Sequence, residues 1–306
     1  KFFTNEIGKA TYAFNPFAQF QREHVSLNQI CEVFLSALSL EHGEGYGRSY
    51  YSRVARNLMS KTLAQYPDIA SFAELKQRIE SMATDGDQKR DAFELIAMVE
   101  SLAGFPALNV TEETSPQVAE QAIFMPDVLD KNQVAYFWLP PAMESATARE
   151  IAKLAFHTLF TSAYQYQQRF HKQARVWVFI DEFQHVASLS FKVILQQARS
   201  MGIGLILANQ TNADLRITDT DLKDTVQSNT RFKQYFAMGN PKEREELSKN
   251  SGETRYWNLG LGPRLMLNDL IEISDERQGS IVLISRGQGL TQYSGLAFPL
   301  HSFYHY

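Results

Sequence analysis

The spacing of apolar residues along this chain divides it into blocks. Residues 1–17 read as strand and turn, closing at Asn15-Pro16. From Ser26 the spacing becomes helical: Leu27, Ile30, Cys31, Phe34, Leu35 and Leu38 share a face, and Ser26 is placed as an N-cap. The same period predicts helices over Tyr50 to Leu63, Phe72 to Met82 and Arg90 to Leu102. Between the last two, Asp85-Gly86-Asp87 reads as a capping turn; it lacks the further ligands of a calcium loop. Residues 25–118 thus form an all-helical block set between sheet segments. Val134 to Leu139 reads as a buried strand stopped by Pro140-Pro141. Thr147 and Glu150 fit a capping box for a long helix that ends near Phe170. Its last turns, polar and basic, read as a solvated face.

The run Val176-Trp177-Val178-Phe179-Ile180 then ends in Asp181 and Glu182. Such a run predicts a strand buried on both faces. A helix follows from Phe191 to Met201, with Phe191, Ile194, Leu195 and Ala198 on its apolar face. Gly202 and Gly204 break it, and Ile203 to Ala208 gives a second apolar strand ending in Asn209-Gln210-Thr211. A β-helix-β unit of this length makes parallel neighbours. Gln210 would therefore stand beside Asp181 and Glu182 at the carboxyl edge, where open α/β sheets bind ligands. Further strands at Phe232 and Ile281 would complete a parallel-rich sheet.

Two adjacent acids at the end of an apolar strand suit a Mg²⁺-nucleotide, and the pattern is that of a Walker B strand. Asp181 would accept from a water on Mg²⁺, and Glu182 would orient or activate the water that attacks a γ-phosphate. The plainer reading of the acids is an N-cap for the next helix. For Gln210 it is a turn residue bonded to nearby backbone.

Three segments carry a family resemblance: Val178-Phe179-Ile180-Asp181-Glu182-Phe183-Gln184, Gln197-Ala198-Arg199-Ser200-Met201-Gly202-Ile203, and Leu207-Ala208-Asn209-Gln210. In this order they resemble the motor domain of type IV coupling proteins, the TraG/TraD-type ATPases of conjugation and type IV secretion, relatives of FtsK and HerA. Gly8 to Phe17, ending Phe14-Asn15-Pro16-Phe17, Val134 to Pro140, Val226 to Met238, with Ser228-Asn229-Thr230-Arg231-Phe232, and Gly279 to Arg286 extend the likeness. Residues 25–118 carry it least. The resemblance implies a RecA-like P-loop NTPase core over residues 1–24 and 119–306, with residues 25–118 as an inserted all-α domain. It implies ATP and Mg²⁺ as cofactors and a homo-hexamer as the working form. The partners would be DNA, or relaxosome or effector proteins, and a type IV secretion channel. The family anchors itself through N-terminal membrane helices, so this segment would lie on the cytoplasmic face of the bacterial inner membrane. Asp181, Glu182, Gln210 and Arg199 are the implied catalytic set, with Asp181 and Gln210 at the nucleotide and Asp181 serving the metal through water. Arg199 would be an arginine finger toward a neighbouring subunit; Arg231 and Lys233 are its rivals, and a cation favoured by a helix C-terminus is its plainer reading.

One departure stands against these matches. The sequence has no G-x-x-x-x-G-K-S/T; Gly8-Lys9-Ala10-Thr11 lacks the first glycine and the hydroxyl after the lysine. The expectation is a fragment whose phosphate loop lies upstream, or a remnant without catalysis. A pilus-assembly ATPase of type IV secretion and a non-catalytic docking module built on residues 25–118 are the other readings.

Composition adds little. A net charge of −4 gives no global basic field. Cys31, the single cysteine, reads as packing. The histidines show no metal-ligand spacing, and His185 reads as local packing. No apolar run is long enough to span a membrane. The aromatic end, His301 to Tyr306, reads as a packed terminal segment.

Overall fold

The computed structural model describes the chain apart from residues 7, 39, 41–47, 84–85, 116, 118–119, 218–219, 237–238, 252, 257–259, 264, 266, 268–269, 271–280, 287–288 and 294–306. Asp85 and the terminal aromatic segment therefore lie outside the described residues. Two compact units form: residues 1–209 with 217–220, and residues 210–216 with 221–306.

The first unit begins with β1 (Phe2–Thr4). At α1 (Pro16–Arg22) the Asn15 side chain accepts from the Phe17 N–H, and Pro16 fills a position that needs no donor. Asn15 also donates to the carbonyls of Ala70 and Val110, at 2.8 and 2.9 Å, tying three segments together. Ser26 and Gln29 cap α2 (Leu27–Ala37) reciprocally. α3 (Arg48–Gln65), α4 (Phe72–Met82), α5 (Gly86–Asp91) and α6 (Phe93–Ala103) follow. Past α6, the Asn109 amide donates to the carbonyls of Leu102, Ala103 and Phe105, tying the end of the helix to the turn that follows.

These helices bury a phenylalanine cluster. The Phe34 ring lies 4.9 Å from Phe17, 5.6 Å from Phe20 and 5.5 Å from Phe72. The same apolar core continues through Phe3 and Phe14 to Ile151 and Leu154, so residues 25–118 share it with the segments on either side. Cys31 is buried in it, with Sγ 3.9 Å from the Arg56 carbonyl oxygen. Burial pushes its thiol up to about 11, which makes it a packing group and a poor nucleophile.

After α7 (Met125–Asp130), β2 (Tyr136–Trp138) pairs in parallel with β1. The long helix α8 (Pro141–Phe170) starts six residues before Thr147, because Pro141 with its fixed φ already suits the first turn. Thr147 and Glu150 are thus interior, not a capping box; the Thr147 hydroxyl lies 2.8 Å from that of Ser101. α8 also buries Glu150 and Lys153 and half-buries His157; desolvation holds the His157 imidazole down at about 4 and therefore neutral near pH 7.

β3 (Val176–Ile180) and β4 (Ile203–Leu207) are parallel, in register from Val176 opposite Ile203 to Ile180 opposite Leu207. Between them run α9 (Leu189–Gln197) and a 3-10 turn, Ala198–Met201. Phe191, Ile194, Leu195 and Ala198 are buried as their spacing predicts. The two-sided burial expected for β3 is not found. Val176 and Val178 pack with Ala163, Ala174 and Ala198, whereas Trp177 is 69% and Phe179 73% exposed. Val134, Tyr136 and Trp138 are exposed too, against the buried strand expected there. An unbroken apolar run fixes the strand but not the number of layers that cover it.

The second unit carries α10 (Lys223–Asn229), β5 (Phe232–Tyr235) and α11 (Pro241–Asn250). A pair, β6 (Glu253–Tyr256) and β7 (Gly260–Pro263), is followed by β8 (Ile281–Arg286) and β9 (Gly289–Tyr293). β8 lies between β9 and β5 and is antiparallel to both. The strands at Phe232 and Ile281 therefore do not extend a parallel sheet. A two-residue link between β8 and β9 permits a hairpin, not the crossover that parallel strands need. Leu247, Leu265 and Leu270 form a small core beside Tyr235. Among the described residues, no helix is long and apolar enough to cross a membrane.

Candidate functional site

At the end of β3 the chain turns on an uncommon backbone conformation. Glu182 sits at φ 50°, ψ 46°, the left-handed region that a residue with a Cβ enters at a cost of about 1 kcal/mol. Non-glycine residues held there cluster at functional sites. The turn is pinned on every side. Asp181 Oδ1 accepts from the Glu182 N–H at 3.0 Å. The Phe183 N–H donates to the Ala208 carbonyl at 2.7 Å, and the Ala208 N–H to Ile180 at 2.9 Å, so the turn is laced to the end of β4. The Phe183 side chain is fully buried and lies 4.8 Å from the Phe191 ring, which stacks on Phe156 of α8. Beyond the turn, Gln184 Nε2 donates to the Glu182 carboxylate. Gln184 carried no signal in the sequence; residues two apart do not face each other on a helix, and here the left-handed turn at Glu182 brings the two side chains together.

Asp181 is exposed and Glu182 half-buried. Between Glu150 and Asp214 the sequence carries no other acid. His185 is exposed, and Phe183 does the packing expected of it. Gln210 is exposed and follows Leu207, the last residue of β4, by three residues in the sequence. Arg199 is not brought to this edge. It stands exposed in the 3-10 turn before Ile203, at the opposite end of β4, a strand length of about 13 Å away. Its turn is fixed by the Gln173 amide on the Ser200 carbonyl at 2.8 Å. Arg231 is exposed; Lys233 Nζ donates to the Thr230 carbonyl at 2.9 Å, and burial lowers its ammonium below the usual lysine range.

Gly8 and Lys9 build no phosphate cradle. Lys9 pairs with Glu6, Thr11 donates to the Phe2 carbonyl, and the first helix starts only at Pro16. Among the described residues no cluster of three or more acidic, histidine or cysteine side chains could cage a metal. Two carboxylates do suit Mg²⁺, which keeps several waters and takes one or two carboxylates together with phosphate oxygens.

Residues 175–259, which span β3, β4 and Gln210, match the family model described as the TraM recognition site of TraD and TraG. Among solved structures, the bacterial conjugative coupling protein TrwB lacking its N-terminal 70 residues, in complex with sulphate, is similar over 98% of this chain and 73% of that one, with a TM-score of 0.66 at 15% identity. TrwB in complex with ADP and Mg²⁺ matches over 96% of this chain and 72% of that one, with a TM-score of 0.64 at 15% identity. VirB4 of Thermoanaerobacter pseudethanolicus matches over 94% and 73%, with a TM-score of 0.55 at 10% identity. No curated protein matches the sequence. The fold is thus that of a RecA-like P-loop NTPase core with an all-α part. Together with the matched segment, it makes the chain similar to the TraG/TraD-type coupling proteins.

Proposed function

We propose that this chain is the motor segment of a conjugative coupling protein, acting at the cytoplasmic face of the inner membrane, where ATP hydrolysis moves DNA or protein toward a secretion channel. The observation that carries the reading is the turn at Asp181-Glu182, held at the carboxyl edge of a parallel β-α-β unit inside the family-matched segment. Asp181 uses Oδ1 to fix the Glu182 N–H, and its other oxygen would accept from a metal-bound water. Glu182 would take the proton of the attacking water, and Gln210 would register the γ-phosphate and pass its state to the loop that follows. Bound Mg²⁺ would neutralise charge that develops on the phosphate oxygens. The sequence has no G-x-x-x-x-G-K-S/T, and the activity proposed is that of a whole coupling protein. Placement of Arg199 at the far end of β4 supports a role toward a neighbouring copy's nucleotide, with a homo-hexamer as the assembly. Residues 175–259 would also recognise a relaxosome protein of the TraM kind.

The similarity to VirB4 favours a second reading, a pilus-assembly ATPase. ATP turnover of the full-length protein, measured with and without single-stranded DNA, separates the two. A coupling protein is expected to turn over faster with DNA. Turnover indifferent to DNA supports the second reading, and no turnover at all ends the motor interpretation.

A further inference from the structure

We propose that Gln184 is a positioning residue for Glu182, an inference that rests on the catalytic reading of Glu182 above. The geometry is specific. The left-handed Glu182 backbone folds the chain back, so that Gln184 Nε2 reaches the Glu182 carboxylate. Gln184 itself has little freedom, because the 3-10 turn Phe183–His185 that carries it is anchored by the buried Phe183 ring and by the Phe183 N–H on the Ala208 carbonyl.

The other end of the amide shows why an amide stands here. Among the described residues, Gln184 Oε1 is buried with no hydrogen-bond partner. A buried oxygen without a donor opposes stability, and a leucine or methionine would fill similar volume without that deficit. Packing alone therefore does not account for the residue, whereas its donor does. A charge-assisted bond from an amide holds a carboxylate to one orientation. A general base delivers its effect only when it is aimed at the proton it removes. Gln184 would supply that aim without touching nucleotide or water.

The test is steady-state ATP turnover by the full-length protein, with thermal stability followed on the same samples. Gln184→Leu is expected to lower kcat by roughly tenfold or more. KM for ATP should stay within about twofold, since the loss falls on the chemical step and not on binding. The melting temperature should hold or rise, because the unpartnered oxygen is gone. Gln184→Glu keeps the length but sets a second carboxylate against Glu182, and should lower kcat at least as far; it serves if the leucine variant does not fold. In a Glu182→Gln background, Gln184→Leu should add no further loss, as expected for two groups acting as one. Wild-type kcat in Gln184→Leu, or an additive loss in the double variant, overturns the proposal and leaves Glu182 in place. Turnover that survives Glu182→Gln overturns the reading of the site itself.

Discussion

Full-length protein carrying Glu182→Gln is expected to bind ATP as the wild type does and to hydrolyse it about 10²–10³-fold more slowly. The amide keeps the shape of the side chain and can still accept from Gln184 Nε2. What it loses is the negative charge that draws a proton from water. The effect belongs to kcat and leaves nucleotide affinity in place, because the metal contact is assigned to Asp181. Glu182→Gly separates function from stability at the same position. Glycine enters the left-handed region freely, so relief of the φ 50° backbone should raise stability by about 1 kcal/mol. Turnover should fall at least as far as in Glu182→Gln. A protein that becomes more stable and loses hydrolysis is the outcome for strain retained at a working site; loss of stability in Glu182→Gly would remove that explanation for the turn. Nucleotide binding by equilibrium titration, single-turnover hydrolysis and thermal melting read out the three quantities.

The largest structural effect is expected at Gly202. It ends the 3-10 turn at φ 78°, and a Cβ there would lie 1.7 Å from the Ala174 carbonyl oxygen and 2.8 Å from its carbon. The obstacle is backbone, so no side-chain rotation relieves it. The Gly202 carbonyl accepts from the Val176 N–H at 3.3 Å, and the Gly202 N–H donates to Arg199 at 3.2 Å. Moving this backbone therefore disturbs the start of both β3 and β4. Gly202→Ala should destabilise by about 2 kcal/mol or more, a drop of several degrees in melting temperature. Gly8 gives the control: its φ is 75°, but among the described residues beyond its chain neighbours no atom lies within 4 Å of the added carbon, so Gly8→Ala meets only the backbone term of about 1 kcal/mol. Equal melting temperatures for the two variants would show that the contact at Ala174 does not matter.

The sequence makes the β-α-β unit legible because two apolar runs of strand length flank a stretch of helical period, and this spacing has one common solution. The position of Asp181 and Glu182 at the end of β3 is legible for a similar reason, since the apolar run stops at the first acid. Other features lie in tertiary context. Trp177 and Phe179 read as core by composition, yet they stand on an uncovered face, and an apolar run does not report how many layers cover it. The start of α8 at Pro141 was hidden by Thr147 and Glu150, whose spacing imitates a helix start although both lie inside the helix. The antiparallel pairing of β5 with β8 spans 45 intervening residues, more than local period can see. The left-handed turn at Glu182 has no glycine to announce it, so the contact with Gln184 was invisible before the backbone was known.

The central claim is that a metal-bound nucleotide docks where β3 and β4 end. Iron-directed cleavage tests it most directly: the full-length protein is loaded with an ATP analogue and Fe²⁺ in place of Mg²⁺, then treated with ascorbate and peroxide, and the backbone cuts are mapped. Cuts at residues 180–184 and 208–211 that require nucleotide and vanish in Asp181→Asn are the expected result. Nucleotide-dependent cuts elsewhere, with these two segments intact, would contradict it.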